Sequence, residues 1–250
     1  MIKRQLLLVC PVLLLASAVW AAPMCTSTTL NVYTNNDANN YSCTLDGLTF
    51  SNFSYTASNG LPAESTVQVT PVSDSSGDVG FIFQGAWTAG AGLSSDAVLV
   101  YNIMSSNGAM ALTGDSVTLL SYGARGSGAS ATIVEGVCTT ARQSNGSCVP
   151  ASDAYSLTVY DNANNPPPVP SDAVVFTTAT NTVQVNKNIV EVGGSGSATI
   201  SQFENLVQTN GGQGGPGGSG VPEPASLFTV GSGILGACML LRKKVRKLTR

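Results

Sequence analysis

The sequence predicts an all-β domain, a β-sandwich for which a jelly roll is one candidate topology, and three observations support this. The middle of the chain is rich in Thr, Ser, Asn, Val and Gly. Polar and apolar residues alternate over Thr66–Thr70 and over Thr182–Asn186, as in strands with one buried face. Turn-forming pairs such as Asn59-Gly60, Asn107-Gly108 and Asn145-Gly146 separate the apolar runs.

Eleven short segments have this β-type composition, and that many strands in one domain indicate two packed sheets. The segments are Thr29–Tyr33, Leu48–Tyr55, Thr66–Val72, Gly80–Gln84, Ala97–Met104, Ser116–Ser121, Ala131–Cys138, Tyr155–Tyr160, Ala173–Thr177, Thr182–Asn188 and Ala198–Leu206. Residues 22–209 are enough to enclose one core, so a single ectodomain is the simplest organisation.

Residues 1–21 have the composition of a secretory signal peptide. Lys3 and Arg4 form a positively charged start, and Leu6–Leu15 form an apolar stretch that is short for a membrane-spanning helix. Small residues precede the expected cleavage site after Ala21. This segment predicts export, with the Sec translocon and signal peptidase as partners.

The C-terminal part begins with a glycine-rich linker at 210–220, which is typical of a flexible tether. Residues 221–250 then have three parts: the triplet Pro222, Glu223, Pro224, an uncharged apolar run at 225–241, and a basic cluster. As a helix the apolar run is about 26 Å long, which predicts a single transmembrane helix. The basic cluster would stay on the cytoplasmic side of the inner membrane. It comprises Arg242, Lys243, Lys244, Arg246 and Lys247.

This order of parts resembles the PEP-CTERM sorting domain, over residues 221–250. The resemblance implies that an exosortase, a membrane-embedded cysteine protease, recognises Pro222-Glu223-Pro224 and cuts near it. It also implies an intermediate anchored in the inner membrane, followed by delivery to the cell surface or the extracellular matrix. The carriers of this domain are Gram-negative bacteria that make exopolysaccharide. An ordinary C-terminal membrane anchor is the alternative.

Four cysteines lie in the ectodomain, and an even number in an exported chain indicates disulfides. They are Cys25, Cys43, Cys138 and Cys148. Of the three possible pairings, proximity favours Cys25–Cys43 with Cys138–Cys148, although the sequence alone does not fix it. A metal site is the alternative, but the chain has no C-x-x-C pair.

The charge distribution and the absence of histidine limit the possible functions. Eight of the eleven basic residues lie in the two tails, so the remainder combines three basic with fourteen acidic residues and carries −11. An acidic body repels phosphate backbones, which argues against nucleic-acid binding. Without histidine, Ser-His-Asp and Cys-His catalysis are excluded. We therefore expect neither catalytic residues nor a cofactor.

Calcium is the one ion for which the sequence offers candidate ligands. Asp74 and Asp78 flank Ser-Ser-Gly and could supply carboxylate oxygens. The same residue types are also typical of a tight turn.

Three functions fit these observations. The first is a structural or adhesive surface protein, not an enzyme, in an exopolysaccharide matrix such as a biofilm. The second is a carbohydrate-binding module, which predicts an exposed Trp87 with coplanar tyrosines on one sheet face. The third is a secreted hydrolase with two acids converging in a cleft.

Overall fold

A computed structural model describes residues 22–35, 41–58, 60–105, 110–140, 148, 154–163 and 167–210. The expected signal peptide (1–21), the linker from residue 211 onward and the sorting segment at 221–250 lie outside these residues. All described residues belong to one compact unit, residues 1–213. Within the described ranges, no helix is long and apolar enough to cross a bilayer.

The described residues form twelve strands, one short α-helix and one 3₁₀ turn. The strands are β1 (Thr28–Thr29), β2 (Ser42–Leu45), β3 (Leu48–Ala57), β4 (Gln68–Ser73), β5 (Val79–Ala89), β6 (Ser94–Ser105), β7 (Leu112–Arg125), β8 (Ser130–Cys138), β9 (Ala154–Asn162), β10 (Ser171–Thr180), β11 (Thr182–Val192) and β12 (Ser197–Thr209). The helix α1 spans Leu30–Thr34, and the 3₁₀ turn spans Glu64–Thr66.

The strands form two six-stranded antiparallel sheets, which confirms the predicted β-sandwich. Sheet I has the order β1-β4-β5-β12-β7-β10, and sheet II has the order β2-β3-β6-β11-β8-β9. The pairs β5–β12, β6–β11, β7–β10 and β8–β9 are nested along the chain, as in an eight-stranded jelly roll. Strands β1 to β4 extend both sheets on one side.

The core lies between the sheets. It is filled by the side chains that face inward, which are roughly every second residue along the strands. On β11, Val183, Val185 and Ile189 are fully buried. Aromatic rings connect the two layers: Phe50 on β3 packs edge-on against Phe81 on β5, with ring centroids 4.7 Å apart. Because every second strand residue faces inward, the alternation in the β11 part of the sequence predicted the inward positions of Val183 and Val185.

The segment Thr29–Tyr33 is not a strand, so that part of the prediction was wrong. Only Thr28–Thr29 pairs as β1, and Leu30–Thr34 form α1. Leu30 and Tyr33 are fully buried and lie three residues apart, which places both on the inner face of the helix. The alternation over five residues fits a strand and a single helical turn equally well, and burial of these two side chains decides between them.

Strand β2 and its turn were not predicted. Asp46 and Gly47 connect β2 to β3, and both have positive φ, 46° and 83°. A two-residue connection with both φ values positive is a type I′ hairpin turn, for which Asp-Gly is a preferred pair.

Side chains close the edge of the sandwich formed by β9 and β10. Asp172 on β10 accepts a hydrogen bond from the Thr158 backbone N–H of β9 at 2.8 Å. Asp161 on β9 accepts one from the Ala124 N–H of β7 at 2.9 Å. These carboxylates satisfy backbone donors at the edge and connect sheet I to sheet II.

Candidate functional site

The sequence-predicted processing site lies outside the described residues. This applies to Pro222, Glu223 and Pro224, and to the basic cluster at Arg242–Lys247. The sites that the structure describes are the cysteines, the Asp74–Asp78 turn, Trp87, a surface cleft and a cluster of polar side chains in the core.

The four ectodomain cysteines form two disulfides, Cys25–Cys43 and Cys138–Cys148, which is the pairing that proximity favours. The first fastens the N-terminal segment to β2. There the Cys25 N–H donates to the Thr44 carbonyl at 2.9 Å, and the Thr44 N–H donates to the Pro23 carbonyl at 2.7 Å. Two disulfides indicate an extracellular or periplasmic protein.

The Asp74–Asp78 segment is a turn between β4 and β5. Asp74 Oδ1 accepts the backbone N–H of Ser76 at 2.8 Å and that of Asp78 at 2.9 Å. Burial and the charge of Asp74 raise the pKa of Asp78. Two backbone N–H groups thus occupy Asp74 Oδ1, one of the carboxylate oxygens considered for calcium. Among the described residues, no three His, Cys, Asp or Glu side chains form a group that could hold a metal ion.

Trp87 lies in the core and is only 1% exposed. Its Nε1–H donates to the Tyr55 hydroxyl at 3.0 Å, and its ring lies 5.4 Å from that of Phe203. Every aromatic side chain within the described ranges is buried or half-buried. The exposed platform of Trp87 and tyrosines, expected of a carbohydrate-binding module, is therefore not formed by these residues.

An open cleft of about 570 Å³ lies beside Tyr55 at the end of β3. Its polar lining includes Asn31, Ser58 and Glu64, and its apolar lining includes Leu61. Glu64 Oε2 accepts the Thr34 hydroxyl at 2.6 Å, which joins the 3₁₀ turn to α1. Burial raises the pKa of Tyr55 to about 12. The cleft thus has neutral donors and a single carboxylate, which suits hydrogen bonding to a polar ligand.

A second set of polar groups lies in the middle of the core, and we name it the core polar cluster. It consists of Tyr101, Asp115, Glu135, Lys187 and Asn205, all at most 2% exposed. Lys187 and Glu135 lie opposite each other on β11 and β8 and form an ion pair. Sheet II supplies Tyr101, Glu135 and Lys187, whereas sheet I supplies Asp115 and Asn205.

The Asn205 amide connects the two halves of the core polar cluster. Its Nδ2 donates to Asp115 Oδ1 at 2.8 Å and to the Ser116 carbonyl at 2.7 Å. The same nitrogen lies 3.3 Å from Glu135 Oε1. Its Oδ1 accepts the hydroxyl of Tyr101. Both atoms of the amide are therefore held in a fixed orientation.

Burial affects the charge of the core polar cluster. Desolvation, followed by the charge of Glu135, raises the pKa of Asp115 well above its usual range, while Lys187 and Asn205 act in the opposite direction. Asp115 Oδ2 has no hydrogen-bond partner among the described residues. A raised pKa favours the neutral form of Asp115, and with that form beside the ion pair the enclosed cluster would carry no net charge.

Sequence reasoning missed this cluster, although the alternation contains a signal for it. Each member replaces an apolar residue on the inward side of its strand: Lys187 follows Val183 and Val185, and Glu135 lies between Ile133 and Val137. A charged residue in a buried stripe needs a partner. The partners come from strands far apart in the sequence, so the pattern alone could not identify them.

Comparison with known proteins gives only distant similarities. No protein-family model matches the chain, and no curated protein sequence does. One similar solved structure is TmCBM61 in complex with β-1,4-galactotriose, at 12% identity and a TM-score of 0.30, covering 62% of this chain and 88% of that one. A family 11 carbohydrate-binding module from Clostridium thermocellum, in complex with a β-1,3-1,4-mixed-linked tetrasaccharide, has 9% identity, a TM-score of 0.23 and coverage of 62% and 88%.

A third similar structure is the enzymatically active domain of tailspike protein 4 from bacteriophage CBA120, at 13% identity and a TM-score of 0.26. The match covers 64% of this chain and 19% of the tailspike chain, so this chain spans about a fifth of that protein's length. Similarities at this level carry no functional information.

Proposed function

We propose that the chain is an exported surface or extracellular-matrix protein, sorted by an exosortase-type system, with a structural or adhesive role in an exopolysaccharide matrix. The observation that carries this proposal is the order of parts at the C-terminus. Pro222-Glu223-Pro224, an apolar run at 225–241 and a basic cluster follow a chain that starts with a signal-peptide pattern. The two disulfides support the export step.

A structural role, not an enzymatic one, is supported by the location of four of the described carboxylates. Asp115 and Glu135 are enclosed in the core, where no polymeric substrate reaches them. Asp74 is engaged by the backbone of its turn, and the cleft contains one carboxylate, Glu64. Retaining and inverting glycoside hydrolysis both need two carboxyl groups that flank the substrate.

Sorting is tested by replacing Pro222, Glu223 and Pro224 together with alanine and following the chain in cells. We expect the variant to lose only its signal peptide and to accumulate in the inner membrane. The parent chain should be cut again near its C-terminus, become shorter and reach the surface. Pro216→Ala, in the linker, is the matched control and should behave like the parent chain. If the triple variant is shortened and delivered as the parent is, the sorting proposal is wrong.

Carbohydrate binding is a second candidate, and the cleft beside Tyr55 is the observation that favours it. Asn31, Ser58 and Glu64 could hydrogen-bond sugar hydroxyls there. The test is a glycan array probed with the mature protein and with Asn31→Ala/Ser58→Ala. Loss of a signal in the variant, but not in the exposed control Val175→Ala, would support the cleft as the site. Equal signals from both variants would exclude it.

A further inference from the structure

The core polar cluster combines an amine, a carboxamide and two carboxyl groups in one closed site. Glu135 lies between the other two functional groups: its Oε2 contacts Lys187 Nζ, and its Oε1 lies 3.3 Å from Asn205 Nδ2. A simple structural ion pair would not require the neighbouring amide to be held at both ends. Here Tyr101 holds the amide oxygen, and Asp115 holds the amide nitrogen at 2.8 Å.

We propose that Lys187 and Asn205 become joined by an intramolecular isopeptide bond, with Glu135 and Asp115 moving the protons and Tyr101 stabilising the amide oxygen. The bond would link β11 of sheet II to β12 of sheet I. The inference concerns the ectodomain alone and does not depend on the sorting proposal.

The lysine must first become a nucleophile. Its ammonium loses a proton to the Glu135 carboxylate, with which it is already in contact. In water this transfer would be unfavourable, but burial penalises both charges of the ion pair, and the neutral amine and acid avoid that penalty. Lys187 and Glu135 are both fully buried, so the site meets this condition.

The reaction then balances without an oxidant or a cofactor. The Lys187 Nζ lone pair attacks Asn205 Cγ, a C–N bond forms, and the developing charge on Oδ1 is stabilised by the Tyr101 hydroxyl. A carboxyl group, Asp115 or the newly protonated Glu135, donates a proton to Nδ2. The bond from Cγ to Nδ2 breaks and one ammonia leaves. Nζ loses its surplus proton to the carboxylate that this proton donation has produced, which restores the carboxylic acid. The products are a secondary amide and ammonia.

The position of Asp115 fits a proton donor. Its Oδ1 accepts from Asn205 Nδ2 at 2.8 Å, so the carboxyl group is in contact with the leaving nitrogen. Its Oδ2, which has no hydrogen-bond partner within the described residues, is the place where an acid proton would reside. Burial of these side chains from solvent also favours the amide over its hydrolysis.

The test is a peptide map of the mature protein after reduction and full denaturation, with a protease that cleaves after glutamate. Cleavage after Glu191 separates Lys187 from Asn205 in the linear chain. We expect the two peptides to remain joined in the parent protein, with a mass lower than their sum by one ammonia. In the Asn205→Asp variant they should be joined with loss of one water instead.

Three variants complete the experiment. Lys187→Arg keeps the positive charge but cannot form the bond, and Glu135→Gln keeps the shape but removes the proton acceptor. Both should give two separate peptides, each with the mass of its own linear sequence. Because Glu135→Gln also removes the cleavage site after residue 135, its Lys187 peptide begins at residue 65. The control Asn186→Asp, on the outer face of the same strand, should remain joined. Two separate peptides from the parent protein would overturn the proposal whether or not the variants fold. A link from Lys187 to Glu135 or Asp115, recognised by loss of water in the parent, would also overturn it.

Discussion

A lysine in a protein core is tolerated only where its charge is balanced, and the partner of Lys187 is Glu135. Both side chains are inaccessible to water, and both lie in the inward stripe of their strands. The other members of the core polar cluster supply hydrogen bonds, which these buried polar groups need because water cannot reach them. At the scale of the residue, we expect single substitutions in this pair to be strongly destabilising.

Where Lys187 is the ammonium partner of Glu135, Lys187→Met leaves the buried carboxylate alone, so we expect the free energy of unfolding to fall by about 3–5 kcal/mol. Where Lys187 is joined to Asn205 as we propose, loss of that bond adds to the fall. Replacing both residues, as in Lys187→Met/Glu135→Leu, should recover part of this loss because no charge then remains buried alone. Denaturant unfolding measures the free energy of unfolding of the single and the double variant. The exposed neighbour Asn188→Ala should change stability by less than about 0.5 kcal/mol. If Lys187→Met alone is as stable as the parent protein, this account is contradicted.

Glu191 is a second buried carboxylate, farther along β11. Its Oε2 accepts the Ser95 hydroxyl at 3.2 Å, whereas its Oε1 has no partner among the described residues. Burial raises the pKa of Glu191 to about 7; the Ser95 hydrogen bond acts against this, and the charge of Asp96 adds to it. In the unfolded chain the pKa is near 4.5.

The folded state therefore binds more protons than the unfolded state between the two pKa values, about 4.5 and 7, and stability falls as pH rises through this window. Glu191→Gln removes the titrating group. We expect the variant to be more stable than the parent at pH 8, by on the order of 2–3 kcal/mol. At pH 4, where Glu191 is neutral in both states, the difference should largely disappear. A difference of equal size at both pH values would contradict this assignment.

At the scale of the element, the edge formed by β9 and β10 depends on side chains of the opposite sheet. Asp172→Ala removes the acceptor of the Thr158 N–H, and an unsatisfied backbone donor costs about 1–3 kcal/mol. We expect faster hydrogen exchange at the Thr158 amide and a lower free energy of unfolding. Ser171→Ala, an exposed substitution on the same strand, is the control. Unchanged exchange at Thr158 in Asp172→Ala would show that the carboxylate does not protect this amide and would contradict the prediction.

The Cys25–Cys43 disulfide closes a segment with a sequence separation of 18 residues. Replacing both cysteines with serine should lower the free energy of unfolding by about 3 kcal/mol, because the unfolded chain gains conformational freedom. The separation for Cys138–Cys148 is 10 residues, so the corresponding loss should be somewhat smaller. Thermal unfolding of the two double variants shows which disulfide contributes more to stability. A larger loss on removing Cys138–Cys148 would contradict the loop-closure explanation.

The elements also show which parts of the fold can be predicted from sequence. The alternation at Thr182–Asn186 predicted β11 correctly, because one face of that strand packs against the core. The same reasoning failed at Thr29–Tyr33, where five residues are too few to separate a strand from a helical turn. The core polar cluster could not be predicted, because its members meet only after five strands have paired and the two sheets have packed.

At the scale of the whole molecule, the described residues form a sandwich with two disulfides, and the parts to which our proposal assigns export and sorting lie at the two ends of the sequence. Most of the basic residues are in those ends, which leaves a strongly acidic body. In our account the ends are removed by processing, and the mature protein is the sandwich with its linker. Its covalent and ionic cross-links suit a protein that must persist outside the cell.

The most direct test of this account is the mass and terminal sequence of the protein recovered from the cell surface or the medium. We predict an N-terminus at Ala22 or Pro23 and a C-terminus close to Pro222-Glu223-Pro224, so that the apolar run and the basic cluster are absent. Mature protein that still carries Arg250, or that retains Lys3 and Arg4, would contradict the proposed export and sorting.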